Sequence, residues 1–218
     1  MSPSRLPVVV LISGRGSNLQ SLIDQMQAGQ LPITICAVVS NEPDAYGLQR
    51  AQQAGMPTRV LEHRKFTERV YYDKALMELI DSFAPKLVVL AGFMRILGKE
   101  FVDRYAGRLM NIHPSLLPEL SGLDTHARAL KSGATQHGAS VHFVSTELDG
   151  GPIIIQAAVP VRAGDTPESL ASRVLEQEHR IYPTAIRWFA EGRLSVRNGR
   201  VLLDGGQHPE QGLVARSA

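Results

Sequence analysis

The chain has 218 residues, 44 % of them apolar, with 23 Lys plus Arg against 21 Asp plus Glu and a net charge of +2. That length holds one large α/β domain or two small ones, and so even a charge balance gives no case for a nucleic-acid or anionic-membrane partner. The single cysteine, Cys36, excludes an internal disulfide framework, and no apolar run approaches the roughly 20 residues of a membrane span.

From the N-terminus, short β-branched runs alternate with segments of helical period. The apolar run 8–12 is too short for the core of a signal peptide, so the default is a soluble cytoplasmic protein. Strands are expected over 8–13, 34–40, 58–61, 86–91 and 109–113, the first, second and fourth apolar almost throughout, as in strands buried on both faces. Cys36 lies in one such run and reads as a small buried hydrophobe. Between the strands, helices are expected over 18–28, with Leu19, Leu22, Ile23 and Met26 on one face, over 45–54, and over 67–83, where Thr67 and Glu68 supply a start. This strand–helix order predicts a Rossmann-like, mostly parallel sheet flanked by helices.

After Pro114 the rhythm changes. A Pro-, Gly- and Ser-rich loop, 118–125, leads to a short helix near 127–131. Strands over 139–145 and 153–161 read as an antiparallel extension of the sheet, joined through Asp149-Gly150-Gly151-Pro152. A long helix follows over 166–190, with Thr166 as N-cap and Pro167 at its first position. Pro183 predicts a kink or a split into two helices. A hairpin, 194–196 and 201–203, turns through Asn198-Gly199. The whole reads as one domain over 1–218, with a nucleotide-binding half over about 7–113, a second half over about 114–205 and a loose tail over 206–218.

Two constellations carry chemistry. Ser13-Gly14-Arg15-Gly16-Ser17-Asn18-Leu19 is a Gly-rich turn entering a helix, where free N–H groups and a positive dipole end favour an anion. It fails the dinucleotide fingerprint at Leu19 and lacks the Lys of a P-loop. It reads either as a mononucleotide-type phosphate nest or as a tight turn with Ser17 or Asn18 as a mere cap. The second constellation is Asn111-Ile112-His113-Pro114. Residues two apart on a strand face the same side, and the loops at 14–18, 92–97 and 113 onward should all leave the carboxyl edge of the sheet, where open α/β proteins bind ligands. Asp149 reads either as a turn aspartate bonding its own backbone or as the partner of His113. In the second case its charge favours imidazolium, and His113 and Asn111 become donors to a developing oxyanion. His142 reads as buried and structural. His126 could border the site. No metal motif is present.

The blocks 12–19, 90–97, 111–118 and 137–152 resemble the phosphoribosylglycinamide formyltransferases, a folate-dependent family of purine synthesis, and the resemblance runs from about residue 7 to 205. It implies that Asn111, His113 and Asp149 are catalytic, that Arg15, Gly16, Ser17 and Asn18 hold the substrate phosphate, and that Glu178 holds the ribose hydroxyls. It also implies that Met94, Arg95, Ile96 and Leu97 cradle the folate, together with Asn111 and the loop Ser145, Thr146, Glu147 and Leu148, with Arg69 near its glutamyl end. The implied reaction moves the formyl group of 10-formyltetrahydrofolate to the amine of glycinamide ribonucleotide by direct attack, without a metal, with Asp149 keeping His113 protonated, in a monomer or homodimer that binds neither nucleic acid nor membrane. The chain departs from the family where Leu120, Ser121 and Asp124 replace an aromatic residue, a proline and a histidine, which should leave that loop less stiff. Leu175 stands where some relatives carry a polar side chain. The alternatives are a formyltetrahydrofolate hydrolase, whose relatives carry an added N-terminal module, formyl transfer to a tRNA, which needs an added RNA-binding domain, and an inactive nucleotide-binding regulatory module.

Overall fold

The computed structural model describes residues 5–206 and 213–214. By their contacts these fall into two compact units, one ending at Asn111 and the other beginning at Ile112.

The first unit is built on parallel strands: β1 (Leu6–Ile12), β2 (Ile33–Ser40), β3 (Thr58–Val60), β4 (Leu87–Leu90) and β5 (Leu109–His113), whose last two residues belong to the second unit. Their order is β5-β4-β1-β2-β3, and each adjacent pair is parallel. Residues 8–12 of β1 and all of β4 are sealed from solvent on both faces or nearly so. Full burial of each such Val, Leu or Ile stabilises by about 1.5–3 kcal/mol, which is why the runs are apolar without alternation. Cys36 is a correction: it is half-buried, because the early part of β2 leaves the side carrying Thr34 and Cys36 incompletely covered.

The helices of this unit are α1 (Ser17–Gln27), α2 (Tyr46–Gln53), α3 (Arg69–Asp81) and α4 (Lys99–Arg104). Leu19, Leu22, Ile23 and Met26 are the buried face of α1. α3 starts at Arg69 with Glu68 at the cap and no side-chain cap bond, so Thr67 does not open it. The strand order reverses direction at β1, whose neighbours are β2 and β4. A doubly wound sheet opens a crevice at the carboxyl ends of such a pair of strands.

The second unit holds α5 (Thr125–Lys131), the antiparallel pair β6 (Gln136–Phe143) and β7 (Ile153–Pro160), α6 (Pro167–Ala190), and the hairpin β8 (Leu194–Arg197) and β9 (Arg200–Leu203). The hairpin turns on Asn198 and Gly199, both at positive φ (51° and 73°), the twist a two-residue turn requires. Thr166 caps α6 in a reciprocal box with Ser169, and Pro167 follows at the first helical position. Pro183 does not split α6: the helix runs through it as one element, held by a buried face that includes Leu170, Val174, Ile181, Tyr182 and Ile186. Of the tail expected to be loose, residues 207–212 and 215–218 lie outside the described ones, and Leu213–Val214 form β10, parallel to Ala157–Ala158 of β7. No helix among the described residues is long and apolar enough to cross a membrane.

Candidate active site

In the first unit the turn after β1 and the segment after β4 flank the reversal point. The Ser13 N–H donates to the Gly92 carbonyl (3.1 Å), and Ser13 Oγ accepts from Met94 N–H (2.7 Å) while donating to Asn41 Oδ1. These bonds tie the two segments together. β5 runs parallel to β4, pairing Asn111 with Leu90.

Gly16 is the N-cap of α1, at φ 70°, and no side chain caps the helix. Ser17 and Asn18 are therefore the first helical residues rather than caps. A Cβ on Gly16 would meet Gly47 Cα at 2.6 Å, so the turn needs glycine for both its conformation and its close approach to α2. Ser17 is half-buried, Asn18 is buried and Arg15 is exposed.

Residues 94–97 alternate. Met94 (71 % exposed) and Ile96 (62 %) present apolar side chains to solvent, while Arg95 turns inward over the Tyr72 ring, 5.3 Å from its centre. The segment ends where Gly98 N–H donates to Asp73 Oδ2 at 2.7 Å. Asp73 is buried, and burial raises its pKa, opposed by the Gly98 N–H and by Arg69 and Arg95. Asp73 Oδ1, Tyr72 OH and Arg95 Nε are buried without a hydrogen-bond partner among the described residues. Arg69 is exposed on the first turn of α3 and, with Val70, Asp73, Gly98 and Lys99, lines a groove of about 330 Å³.

In the second unit His113 and Asp149 meet. His113 is buried; its Nδ1 lies 3.5 Å from Asp149 Oδ2, and its Nε2 lies 3.0 Å from the Leu120 carbonyl. Both ring nitrogens thus lie near oxygen atoms, those of Asp149 and of the Leu120 backbone. Asp149 stands at φ 53° in the β6–β7 turn. Gly151 beside it has no room for a side chain, since a Cβ there would lie 1.8 Å from the Phe143 carbonyl. Asp149 Oδ2 also accepts from Gly122 N–H (2.9 Å), and Oδ1 lies 3.9 Å from His142 Nε2. His142 is buried, as expected, but it faces Asp149. Burial lowers its pKa, and its bond to the Phe143 carbonyl and the Asp149 charge partly oppose this. His126 Nδ1 lies 3.1 Å from His137 Nε2; burial first, and nearby His113 as well, lower the pKa values of both, His137 to about 4.

The loop over 118–125 meets this pair through Leu120 and Gly122. Leu120 (φ 55°) and Asp124 (φ 56°) hold left-handed conformations, which an aspartate tolerates and which cost a leucine about 1–2 kcal/mol. Arg128 Nη1 clamps the loop by donating to the Ser121 and Leu123 carbonyls. Below it, buried Ser140 Oγ donates to the Ser115 carbonyl and accepts from Leu117 N–H and Gln156 Nε2. Sequence reasoning gives no site role to Ser13, Asn41, Leu120, Gly122, Ser140 or Gln156, although Ser13 opens the Gly-rich turn, Leu120 reads as a substitution and Ser140 lies in the block 137–152.

Glu178 is buried on α6. Ser145 Oγ donates to the Glu147 carbonyl, while Thr146, Glu147 and Leu148 are exposed. No group of three or more His, Cys, Asp or Glu among the described residues is arranged to hold a metal ion.

Comparison with known proteins gives a consistent answer. The formyl transferase family model matches residues 6–186. The phosphoribosylglycinamide formyltransferase of Escherichia coli is 55 % identical over 208 residues, covering 95 % of this chain and 98 % of that one. The trifunctional purine biosynthetic protein adenosine-3 of Homo sapiens is 45 % identical over 195 residues, 89 % of this chain and 19 % of that one. Among solved structures, the phosphoribosylglycinamide formyltransferase of Coxiella burnetii superposes with a TM-score of 0.89 at 55 % identity, covering 93 % of this chain and 95 % of that one. A formyltetrahydrofolate deformylase from Pseudomonas syringae superposes at 0.86 with 27 % identity, over 93 % of this chain but 67 % of that one. With the strand order, the Gly-rich turn and the His113–Asp149 pair described above, these matches lead to one conclusion: the chain belongs to the formyl transferase family.

Proposed function

We propose that the protein transfers a formyl group from 10-formyltetrahydrofolate to the amine of glycinamide ribonucleotide, in the cytoplasm, as a monomer or homodimer. The observation that carries this reading is the buried His113–Asp149 pair in a chain so similar to proteins named for that reaction. The folate supplies the formyl carbon that the amine attacks. Asn111 and His113 donate to the oxygen that gains charge during attack, and donors placed where charge develops are worth on the order of a hundredfold in turnover each. Asp149 takes His113 Nδ1, so Nε2 is the donor atom, and the Leu120 carbonyl now bonded to it gives way when substrate enters. Asp149 keeps the ring protonated and orders the water that carries the proton from the amine to the departing nitrogen.

The backbone N–H groups at Gly16, Ser17 and Asn18 hold the substrate phosphate, with Arg15 beside them, and Glu178 accepts the ribose hydroxyls. Residues 94–97 receive the folate: the exposed apolar edges of Met94 and Ile96 suit a flat ring. Asn111 and residues 145–148 line the same ligand, and Arg69 meets its glutamyl end.

The test mixes purified protein with 10-formyltetrahydrofolate and follows deformylated folate by absorbance. Release that requires glycinamide ribonucleotide, and is lost in Asp149→Asn, is the expected result. Release without any amine means a hydrolase and overturns the transferase reading.

A further inference from the structure

Arg50 belongs to none of the motifs above. It is half-buried on α2, and its Nε donates to the Arg15 carbonyl, 35 positions away in sequence, at 3.0 Å. Its Nη1 donates to Gln20 Oε1 (3.3 Å), and its guanidinium carbon lies 4.9 Å from the centre of the Tyr46 ring. Every partner is neutral; none of the ion pairs among the described residues includes it. A guanidinium that merely decorates a helix end reaches its own last carbonyls or a nearby carboxylate. This one is committed to the turn after β1.

Peptide geometry gives that commitment a consequence. A trans peptide points its N–H opposite to its C=O. The Gly14 carbonyl is held by Gly47 N–H (2.9 Å) and the Arg15 carbonyl by Arg50 Nε. Both carbonyls therefore face α2, and the N–H groups of the same two peptides, those of Arg15 and Gly16, face away from it. These and the Ser17 N–H donate to no acceptor among the described residues. They form one run of donors with the free N-terminus of α1.

We infer that Arg50 is a positioning residue of this turn: it locks the Arg15–Gly16 peptide so that the Gly16 N–H faces the substrate phosphate, and it adds an uncompensated positive charge beside the anion. The inference rests on the proposed function, which assigns the turn to the ribonucleotide phosphate.

Arg50→Lys keeps the charge and loses the guanidinium bonds, and Arg50→Met loses both. The expected KM for glycinamide ribonucleotide rises about threefold in the lysine variant and about tenfold or more in the methionine variant, as lost charge-assisted hydrogen bonds predict. The kcat at saturation and the KM for the formyl donor stay within about twofold, a split that general loosening of the fold does not produce. Inorganic phosphate should raise the melting temperature of the wild type over a chloride control of equal ionic strength, less so for the lysine variant and least for methionine. An unchanged ribonucleotide KM and phosphate shift in Arg50→Met overturn the inference, as does any order other than wild type, lysine, methionine. If Arg50→Met does not fold, Arg50→Lys carries the comparison. If the wild type shows no turnover that depends on ribonucleotide, the proposed function fails, and the phosphate shift still decides the role of Arg50.

Discussion

The turn after β1 and the loop after β5 reach their shapes by opposite means. In the turn, glycine takes the left-handed residue, at Gly16, and bonds from α2 orient the backbone. In the loop the left-handed residues are Leu120 and Asp124 as well as Gly122, and the shape is held by Arg128, Asp149 and His113 from outside the loop. The first costs little conformational strain and presents main-chain donors, which suit an anion of fixed shape. The second stores strain that is tolerable only while its side-chain partners are in place. The first shape stands on its own main chain, oriented by α2; the second depends on bonds from its neighbours.

The largest effect that separates them is expected at the pair itself. His113→Ala should lower kcat by a hundredfold or more while leaving circular dichroism and cooperative melting near wild type, because the lost contacts are a donor and a loop clasp rather than core packing. A folded His113→Ala protein with near-normal turnover would sink the assignment. The turn should respond differently. Gly16→Ala forces a Cβ against Gly47 Cα at 2.6 Å in a left-handed residue, so unfolding in denaturant should show a loss of about 2 kcal/mol or more, and ribonucleotide KM should rise about tenfold with kcat retained. A kcat loss with unchanged KM would contradict the contrast drawn here.

The last effect is on stability in acid, away from both regions. His137 falls from 6.5 to about 4 on folding, and His126 and His142 move the same way, mainly through burial. The unfolded chain therefore takes up these protons first. Their contribution is intact above pH 6.5 and is lost progressively as the pH falls toward 4. Denaturant melts across that window should show the decline, and His137→Gln should flatten it. An unaltered slope in that variant would assign the titration elsewhere.

Much of this was legible in the sequence where local chemistry is strong. β5 has the bounds its apolar run and Pro114 predict, and Thr166–Pro167 and Asn198–Gly199 mark the start of α6 and the β8–β9 turn. What escaped is short or non-local. α4 has six residues, too few for a period to show, and its start depends on Asp73 from α3 holding Gly98. A 3-10 turn at His63–Lys65 is shorter still. Nothing in a leucine announces positive φ, so Leu120 could not be foreseen as the residue whose carbonyl meets His113. The Ser140–Gln156 bond joins residues 16 apart across an antiparallel pair, and neither side chain signals it alone.

The hydrogen bond from Gly122 to Asp149 turns one main-chain amide into a clock. While that bond is made, the proton is held by a carboxylate; any local opening of the loop would expose it to exchange. Its deuterium uptake, read at a single resonance, would time the loop's opening without any substrate present, and its slowing on adding either ligand would identify which one draws the loop closed.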